Sequence, residues 1–255
     1  MKKWACRFLA AAAFAAMVAL FVAPIPEVVR FFGWVPSIQL VPALLAGSLG
    51  VLAVLAVLTA LFGRVYCSVI CPLGVFQDLV RLLVWPLNRM RRGRGVVPAK
   101  TGRRFRFRYA MLALFVPALF FGFAFLVEPY AIFGRFLSYS FGDVESIPLA
   151  LKVFALAFVI AIALAAAVEA RWWCNVVCPV GALLSLFQRF ALFRLRIDNA
   201  KCTGCDRCVR ACSKGAIAAG KNKTVDHTRC ISCYDCADSC KFGALTFNFR
   251  NKKDQ

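Results

Sequence analysis

Cysteines dominate the chemistry written into this chain, and they come in two repeated patterns. RVYCSVICPLG at 64–74 and RWWCNVVCPVG at 171–181 both read C-x3-C-P-x-G. CTGCDRCVRAC at 202–212 and CISCYDCADSC at 230–240 both read C-x2-C-x2-C-x3-C. Thiolates are soft ligands for iron and zinc, and free thiols exchange with disulfides. The spacing must decide which of these each pattern serves.

The second pattern is that of a two-cluster bacterial ferredoxin. Three thiolates on one tight loop hold three corners of an Fe4S4 cube, and the fourth cysteine of each run ligates the other cluster. One cluster then takes Cys202, Cys205, Cys208 and Cys240. The other takes Cys230, Cys233, Cys236 and Cys212. A zinc reading needs separated C-x2-C pairs and fits two tandem runs poorly. One departure from the usual pattern is that Ser213 and Lys241, not proline, follow the fourth cysteines. That bears on the turn and on redox tuning more than on ligation.

The C-x3-C-P-x-G pairs leave more open. Proline lacks an N–H and suits the first position of a helix. Pro72 and Pro179 are therefore expected to open amphipathic helices, VFQDLVRLLVW and ALLSLFQRFALF. Cys71 and Cys178 would sit at the helix N-termini, where the dipole favours a thiolate, with Arg64 and Arg171 adding to the effect. Cys67, Cys71, Cys174 and Cys178 are thus candidate redox thiols or ligands of an additional iron–sulfur centre. Small apolar cysteines also pack in cores, but repetition at two matched sites with the same flanking Arg, Pro and Gly argues against that, and four converging thiolates suit a shared centre best. An i, i+4 pair on a regular helix is poorly placed for a disulfide.

These residues need positioning, and the rest of the sequence suggests how. Of 255 residues, 62% are hydrophobic, and they come in blocks. Four blocks read as membrane spans, at 8–23, 38–62, 109–127 and 147–168. The net charge of +20 lies between and after them. That is the pattern of basic cytoplasmic loops rather than of a nucleic-acid surface. Arg81, Arg89, Arg91, Arg92, Arg94, Lys100, Arg103, Arg104, Arg106 and Arg108 separate spans two and three, whereas Glu27, Arg30, Glu128, Arg135, Asp143 and Glu145 mark the other loops. Both termini, both C-x3-C-P pairs and the tail are therefore expected on the cytoplasmic side of a bacterial-type inner membrane. A shift of 107 residues superposes Arg64, Cys67, Cys71, Pro72 and Gly74 on Arg171, Cys174, Cys178, Pro179 and Gly181, and a shift of 105 aligns Pro24, Arg30 and Phe31 with Pro129, Arg135 and Phe136. The membrane part, residues 1–200, thus reads as a duplicated two-helix unit. The first span gains a counterpart, which argues against a cleaved signal. The fold class expected is a mainly α membrane protein with four transmembrane helices. Each unit ends in CxxxCP plus an amphipathic helix, and a small α+β two-cluster ferredoxin domain follows at 201–255.

The tail is too small to bury much core, so its clusters should hold it together. Lys201, Arg207, Arg210, Lys214, Lys221 and Lys223 give it a basic surface, for solubility, anionic lipid or an acidic redox partner. A single histidine, His227, excludes a bis-histidine haem and reads as a loop residue. No nucleotide-binding fingerprint occurs.

Taken together, CSVICP, CNVVCP and the tandem ferredoxin runs resemble the NapH/MauN family of polytopic membrane ferredoxins, to which the NosR C-terminal region is related. The resemblance covers nearly the whole chain. It implies a quinol dehydrogenase subunit that relays electrons between the membrane quinone pool and partner redox subunits, ferredoxin-type or cytochrome, in a complex. Quinol oxidation needs a proton acceptor, and Glu27 and Glu128 are candidates. Two other functions fit the residues: a maturation or regulatory iron–sulfur membrane protein serving a metalloenzyme, and a transmembrane thiol–disulfide relay.

Overall fold

The computed structural model describes residues 3–22, 25–91, 102–123, 128–141, 148–169, 171–188, 190–212, 214–218, 220 and 223–249, with backbone alone at 3, 85–91 and 102–106. Most of the basic 89–106 stretch, Asp143, Glu145, Ser213 and Lys221 lie outside the described residues or side chains.

The chain is mostly helical. The first half runs through α1 (Lys3–Val22), α2 (Pro26–Phe32), α3 (Leu40–Leu45), α4 (Leu49–Phe62), α5 (Val65–Val69) and α6 (Pro72–Arg91). The second repeats that course with α7 (Gly102–Phe120), α8 (Pro129–Phe141), α9 (Leu149–Val168), α10 (Trp172–Val176) and α11 (Pro179–Gln188). Proline opens α2, α6, α8 and α11, where its missing N–H has no intrahelical partner to lose. The tail holds β1 (Phe193–Ile197), α12 (Arg207–Ala211), α13 (Asp235–Ser239) and β2 (Leu245–Phe249). β1 and β2 pair antiparallel, from Phe193 opposite Phe249 to Ile197 opposite Leu245. One strand of the tail's sheet therefore comes from before residue 201.

Two helices, Trp4–Val22 and Leu149–Val168, are long and apolar enough to cross a membrane. Leu49–Phe62 and Phe107–Phe120 are shorter apolar helices. The expected single span at 38–62 is instead two helices joined by a sharp turn. Gly47, at φ +65°, takes the left-handed conformation that ends α3. Ser48 N donates to Ala43 O at 3.0 Å and Gly47 N to Leu44 O at 3.2 Å, the paired bonds of a Schellman cap. Hydropathy counts apolar residues and is blind to this backbone signal, so the break was missed.

The segment after Pro179 also differs from expectation. Its helix α11 stops at Gln188 and is buried on most sides rather than amphipathic, with Val180, Ala182, Leu184, Ser185 and Gln188 all enclosed. Leu192 then donates its N–H to Ala60 O at 2.9 Å, and the chain enters β1. Packing against α4 and α7 encloses these residues, while Phe187 stays 47% exposed.

The main core gathers Leu40, Val41, Tyr66, Cys67, Cys71, Leu73, Phe133, Ile162, Trp173 and Cys178, with Ile231 from the tail. The tail has its own small core of Leu195, Cys208, Val209, Ile217, Cys236 and Leu245.

Candidate metal centres

The two ferredoxin-type runs wind alike. Gly204 and Ser232, Asp206 and Tyr234, and Gly215 and Gly243 are pairs 28 residues apart, and all six have φ between 54° and 75°. Left-handed residues at matched positions curl each loop so that successive side chains face inward. Ser232 and Tyr234 hold this conformation without glycine's freedom, which costs on the order of 1 kcal/mol each. Ser232 is anchored, its hydroxyl donating to Phe62 O at 2.7 Å.

Two hollows result. Cys212, Cys230, Cys233 and Cys236 line one, together with Lys214, Ile231 and Tyr234. Cys202, Cys205, Cys208 and Cys240 line the other, with Lys201, Arg207 and Phe242. Each hollow takes three cysteines from one run and one from the other. No three His, Cys, Asp or Glu side chains among the described residues converge as they would on a single ion. A cubane puts each thiolate on a separate iron and does not ask for that convergence. Burial pushes the Cys230 thiol up to about 11 and Cys233 to about 12, and raises Cys236 further. Such thiols stay protonated at neutral pH unless a metal displaces the proton.

The hollow around Cys212, Cys230, Cys233 and Cys236 faces the helices. Ile231 and Cys233 pack on the main core, and Arg7 of α1 pairs with Asp235 at 3.0 Å. The other hollow faces outward, where Cys205 is exposed and Phe242 is 53% exposed.

Cys67, Cys71, Cys174 and Cys178 are all buried in the main body, each at 4–7% exposure. They lie close enough for each thiol's charge to act on the others: Cys174 and Cys67 on Cys71, and Cys71, Cys174 and Cys67 on Cys178. Gln77 Nε2 donates to Cys174 Sγ at 3.2 Å. Gly74 and Gly181 are required by sterics, since a Cβ on either would lie 2.7 Å from the carbonyl oxygen of Cys67 or Cys174.

The expected effect of helix N-termini and arginines on Cys67, Cys71 and Cys178 is opposed by burial. The helix-start contacts exist, for Gly181 N donates to Cys178 Sγ at 3.4 Å. Even so, burial dominates and raises the thiol pKa of Cys67, Cys71 and Cys178. Loss of water penalises a lone thiolate more than one dipole and nearby cations repay.

The two arginines cross between the repeats. Arg64 donates from Nε to Gln188 Oε1 at 3.0 Å and from Nη1 to Gly181 O at 3.1 Å. Arg171 reaches back, donating to the Cys67 carbonyl and to both Asp78 oxygens, at 2.9 and 2.6 Å. Both are 1% exposed. Asp78 also binds Lys214 at 3.0 Å. Burial alone would raise the Asp78 pKa, but the Arg171 and Lys214 charges hold it well below the usual carboxylate range. Burial and Arg171 lower Lys214 to about 8.

Arg64 is different. No carboxylate pairs with it among the described residues, and its Nη2 is buried without a hydrogen-bond partner. The groups that would stabilise its charge are the thiols of Cys67, Cys230 and Cys174, from both cysteine systems. A buried unpaired guanidinium costs several kcal/mol. Thiolates bound in an anionic iron–sulfur centre would supply the missing charge. The side chains present therefore fit such a centre.

Sequence reasoning also missed that Lys214 and Lys223 are buried. Lys223 pairs with Asp206 at 2.5 Å as Lys214 does with Asp78, so both leave the expected basic surface. Lys201, Arg207 and Arg210 remain exposed. His227 is half-buried in a turn. Glu27 is exposed, whereas Glu128 is buried at 1% exposure, and burial raises its pKa to about 7.

Comparison with known families agrees with this division. The family described as 4Fe-4S binding domain matches residues 43–92 and 151–198, one C-x3-C-P pair in each. The 4Fe-4S dicluster domain matches residues 201–244. The methylamine utilization ferredoxin-type protein MauN of Paracoccus denitrificans is 32% identical over 71% of this chain and 57% of that protein. The ferredoxin-type protein NapH of Haemophilus influenzae is 28% identical over 65% of this chain and 53% of its own length. An uncharacterized protein of Methanocaldococcus jannaschii is 31% identical over 61% of this chain and 54% of its own. The chain thus spans about half the length of these relatives. No solved structure matches it.

Proposed function

The chain belongs to the NapH/MauN family of ferredoxin-type iron–sulfur electron-transfer proteins, and on that premise we propose that it is a membrane-bound relay with three iron–sulfur centres. Cys67, Cys71, Cys174 and Cys178 would hold the innermost. Cys212, Cys230, Cys233 and Cys236 would hold the middle one, and Cys202, Cys205, Cys208 and Cys240 the outermost. The observation that carries this reading is Arg64, buried without a carboxylate, with thiols of the inner and middle sets as its charge partners. When bound, the clusters supply one-electron storage at each stop. The chain supplies the rest: buried ligands, cations beside them, and fixed spacing between the stops.

The membrane reading rests on exposed apolar surface. Leu149, Leu151, Val153, Phe154, Leu156, Ile160, Leu164 and Val168 of α9 all face outward, as do Trp4, Phe8 and Leu9 of α1. So much contiguous apolar surface marks a membrane contact. In this reading α1, α4, α7 and α9 cross the bilayer, which returns the chain to the side where Arg7 meets Asp235 and Ser232 meets Phe62. The charge pattern favours the cytoplasm for that side. The relay draws on quinol and serves an acidic redox partner that docks where Cys205 is exposed, beside Lys201 and Arg207.

The thiol–disulfide alternative fares less well, because burial disfavours at Cys67, Cys71 and Cys178 the thiolate that exchange needs. Iron analysis of the full-length protein, purified anaerobically, decides between them. Three cubanes give about twelve iron atoms per chain. About eight, unchanged in Cys71→Ser, would show that the inner cysteines are not ligands.

A further inference from the structure

A second cluster of buried polar groups lies beyond the inner cysteines. Gln39 is 1% exposed. Its Oε1 accepts a 2.7 Å hydrogen bond from Tyr66 OH, which itself accepts from Leu40 N at 3.3 Å. Gln39 Nε2 is buried with no partner among the described residues. A buried donor left without an acceptor is unfavourable unless something binds it. Glu128 lies near enough to act on the Tyr66 phenol. It holds its place by accepting from Ala131 N at 3.1 Å, at the start of α8.

Helix α1 shows on which side of the cysteines this group lies. At its first turns Arg7 pairs with Asp235 of the tail, at 3.0 Å. In its middle Phe14 meets Phe133 at 5.3 Å. At its far end Phe21 meets Tyr130, two residues from Glu128, at 5.7 Å. The tail and Glu128 thus sit at opposite ends of α1. Tyr66 also adjoins Cys67 in sequence and feels the charge of Cys71. The sequence runs from Glu128 and Gln39, through Tyr66 to the inner cysteines, and then to the tail.

We propose that Gln39, Tyr66 and Glu128 form the site at which a quinol headgroup is oxidised. This rests on the quinol-linked reading above. Gln39 Nε2 donates to one ring oxygen, and the Glu128 carboxylate accepts the proton of a hydroxyl. Each quinol loses two protons and two electrons as both C–O bonds become C=O. Glu128 takes one proton, releases it to water, and takes the second. The oxidant is the oxidised iron–sulfur relay, which accepts the electrons singly. Tyr130 and Arg135 on α8 and Tyr66 on α5 are the charged or titratable groups that act on Glu128 or feel its charge.

The test uses the full-length, iron-loaded protein in detergent, with decyl-benzoquinol and a short-chain naphthoquinol as reductants. Gln39→Leu should raise the half-saturating quinol concentration about tenfold. Glu128→Gln keeps the shape and the hydrogen bond from Ala131, so half-saturation should hold while the rate falls about a hundredfold. Glu128→Asp should recover part of that loss. The parent's rate should fall about tenfold per unit as pH drops below about 7, where Glu128 becomes protonated, and Glu128→Gln should lack this limb. An azidoquinone should label peptides containing residues 36–45 or 125–135, a readout independent of turnover. Iron content and dithionite-reduced spectra identify any misfolded variant. If quinol reduces the parent and both variants equally, or the label falls elsewhere, the site is wrong and the quinol reading stands. If dithionite reduces the parent and neither quinol does, the quinol-linked reading itself fails.

Discussion

The two duplicated regions exchange different things. In the tail, each repeat lends the other a cysteine, so each hollow is lined by three cysteines of one run and one of the other. Between the helices, each repeat lends an arginine: Arg64 reaches Gly181 and Gln188, and Arg171 reaches Cys67 and Asp78. The difference follows from what holds each region up. Among the described residues, the tail's core has six buried members, two of them cysteines, so the ligands are the scaffold. The main core has eighteen among the same residues, seventeen from the helical region and Ile231 from the tail, and its cysteines are a minority. The tail should therefore depend on metal for its fold, and the helices should not.

The sharpest break of that comparison is metal loss. Cys236→Ser, or chelation, should unfold the tail and expose it to protease after residue 197, while helix content in α1–α11 stays. Limited proteolysis with mass spectrometry reads this directly. A tail that stays resistant without iron would end the contrast. Next in size, Cys67→Ser should remove about four of about twelve iron atoms and leave the tail's paramagnetic signals in place. Loss of all iron would show instead that the helices carry the tail's metal.

Asp78 joins the two regions and should have an intermediate effect. Asp78→Asn leaves Arg171 and Lys214 buried without their carboxylate. Removing one partner of a buried pair costs about 3–5 kcal/mol, and the 37% exposure of the Asp78 side chain reduces this to about 2. Hydrogen exchange at 230–236 should speed up about thirtyfold. The Asp78 pKa is depressed on folding, so its contribution is present above the unfolded value of about 3.9 and is lost as pH falls through the folded value. The gap between parent and variant should therefore begin to narrow below about pH 4 and close only below the folded value. Gly181→Ala should cost about 1–2 kcal/mol, because its Cβ must displace the Cys174 carbonyl. Thermal unfolding of the helical signal measures it. The smallest effect belongs to the surface. Lys201→Glu with Arg207→Glu should leave stability within about 0.5 kcal/mol and slow association with an acidic partner severalfold at low salt.

What the sequence made legible was whatever is local. The ferredoxin spacing, the proline helix starts and the repeat are all short-range signals, and Pro72 and Pro179 open helices as read. What it hid depends on distance or burial. The Gly47 turn looked like part of one apolar run. Lys214 and Lys223 looked like surface charge because their partners lie 136 and 17 residues away. The thiol acidity was judged from neighbours in sequence, when enclosure by the second repeat decides it. Glu27 and Glu128 were indistinguishable as letters, and only packing separates them.

The crossed arginines also set an order of assembly during synthesis. Arg64 meets Gln188 across 124 residues. At about 5–20 residues per second, the ribosome needs roughly 6–25 s to make that stretch. Until then the first cysteine pair waits with half its enclosure missing. Ser232, which ties a tail loop to Phe62, arrives later still, 170 residues on. The four inner cysteines are all present only once Cys178 has been made, ten residues before Gln188. The first repeat therefore cannot finish its own site and must wait for the second.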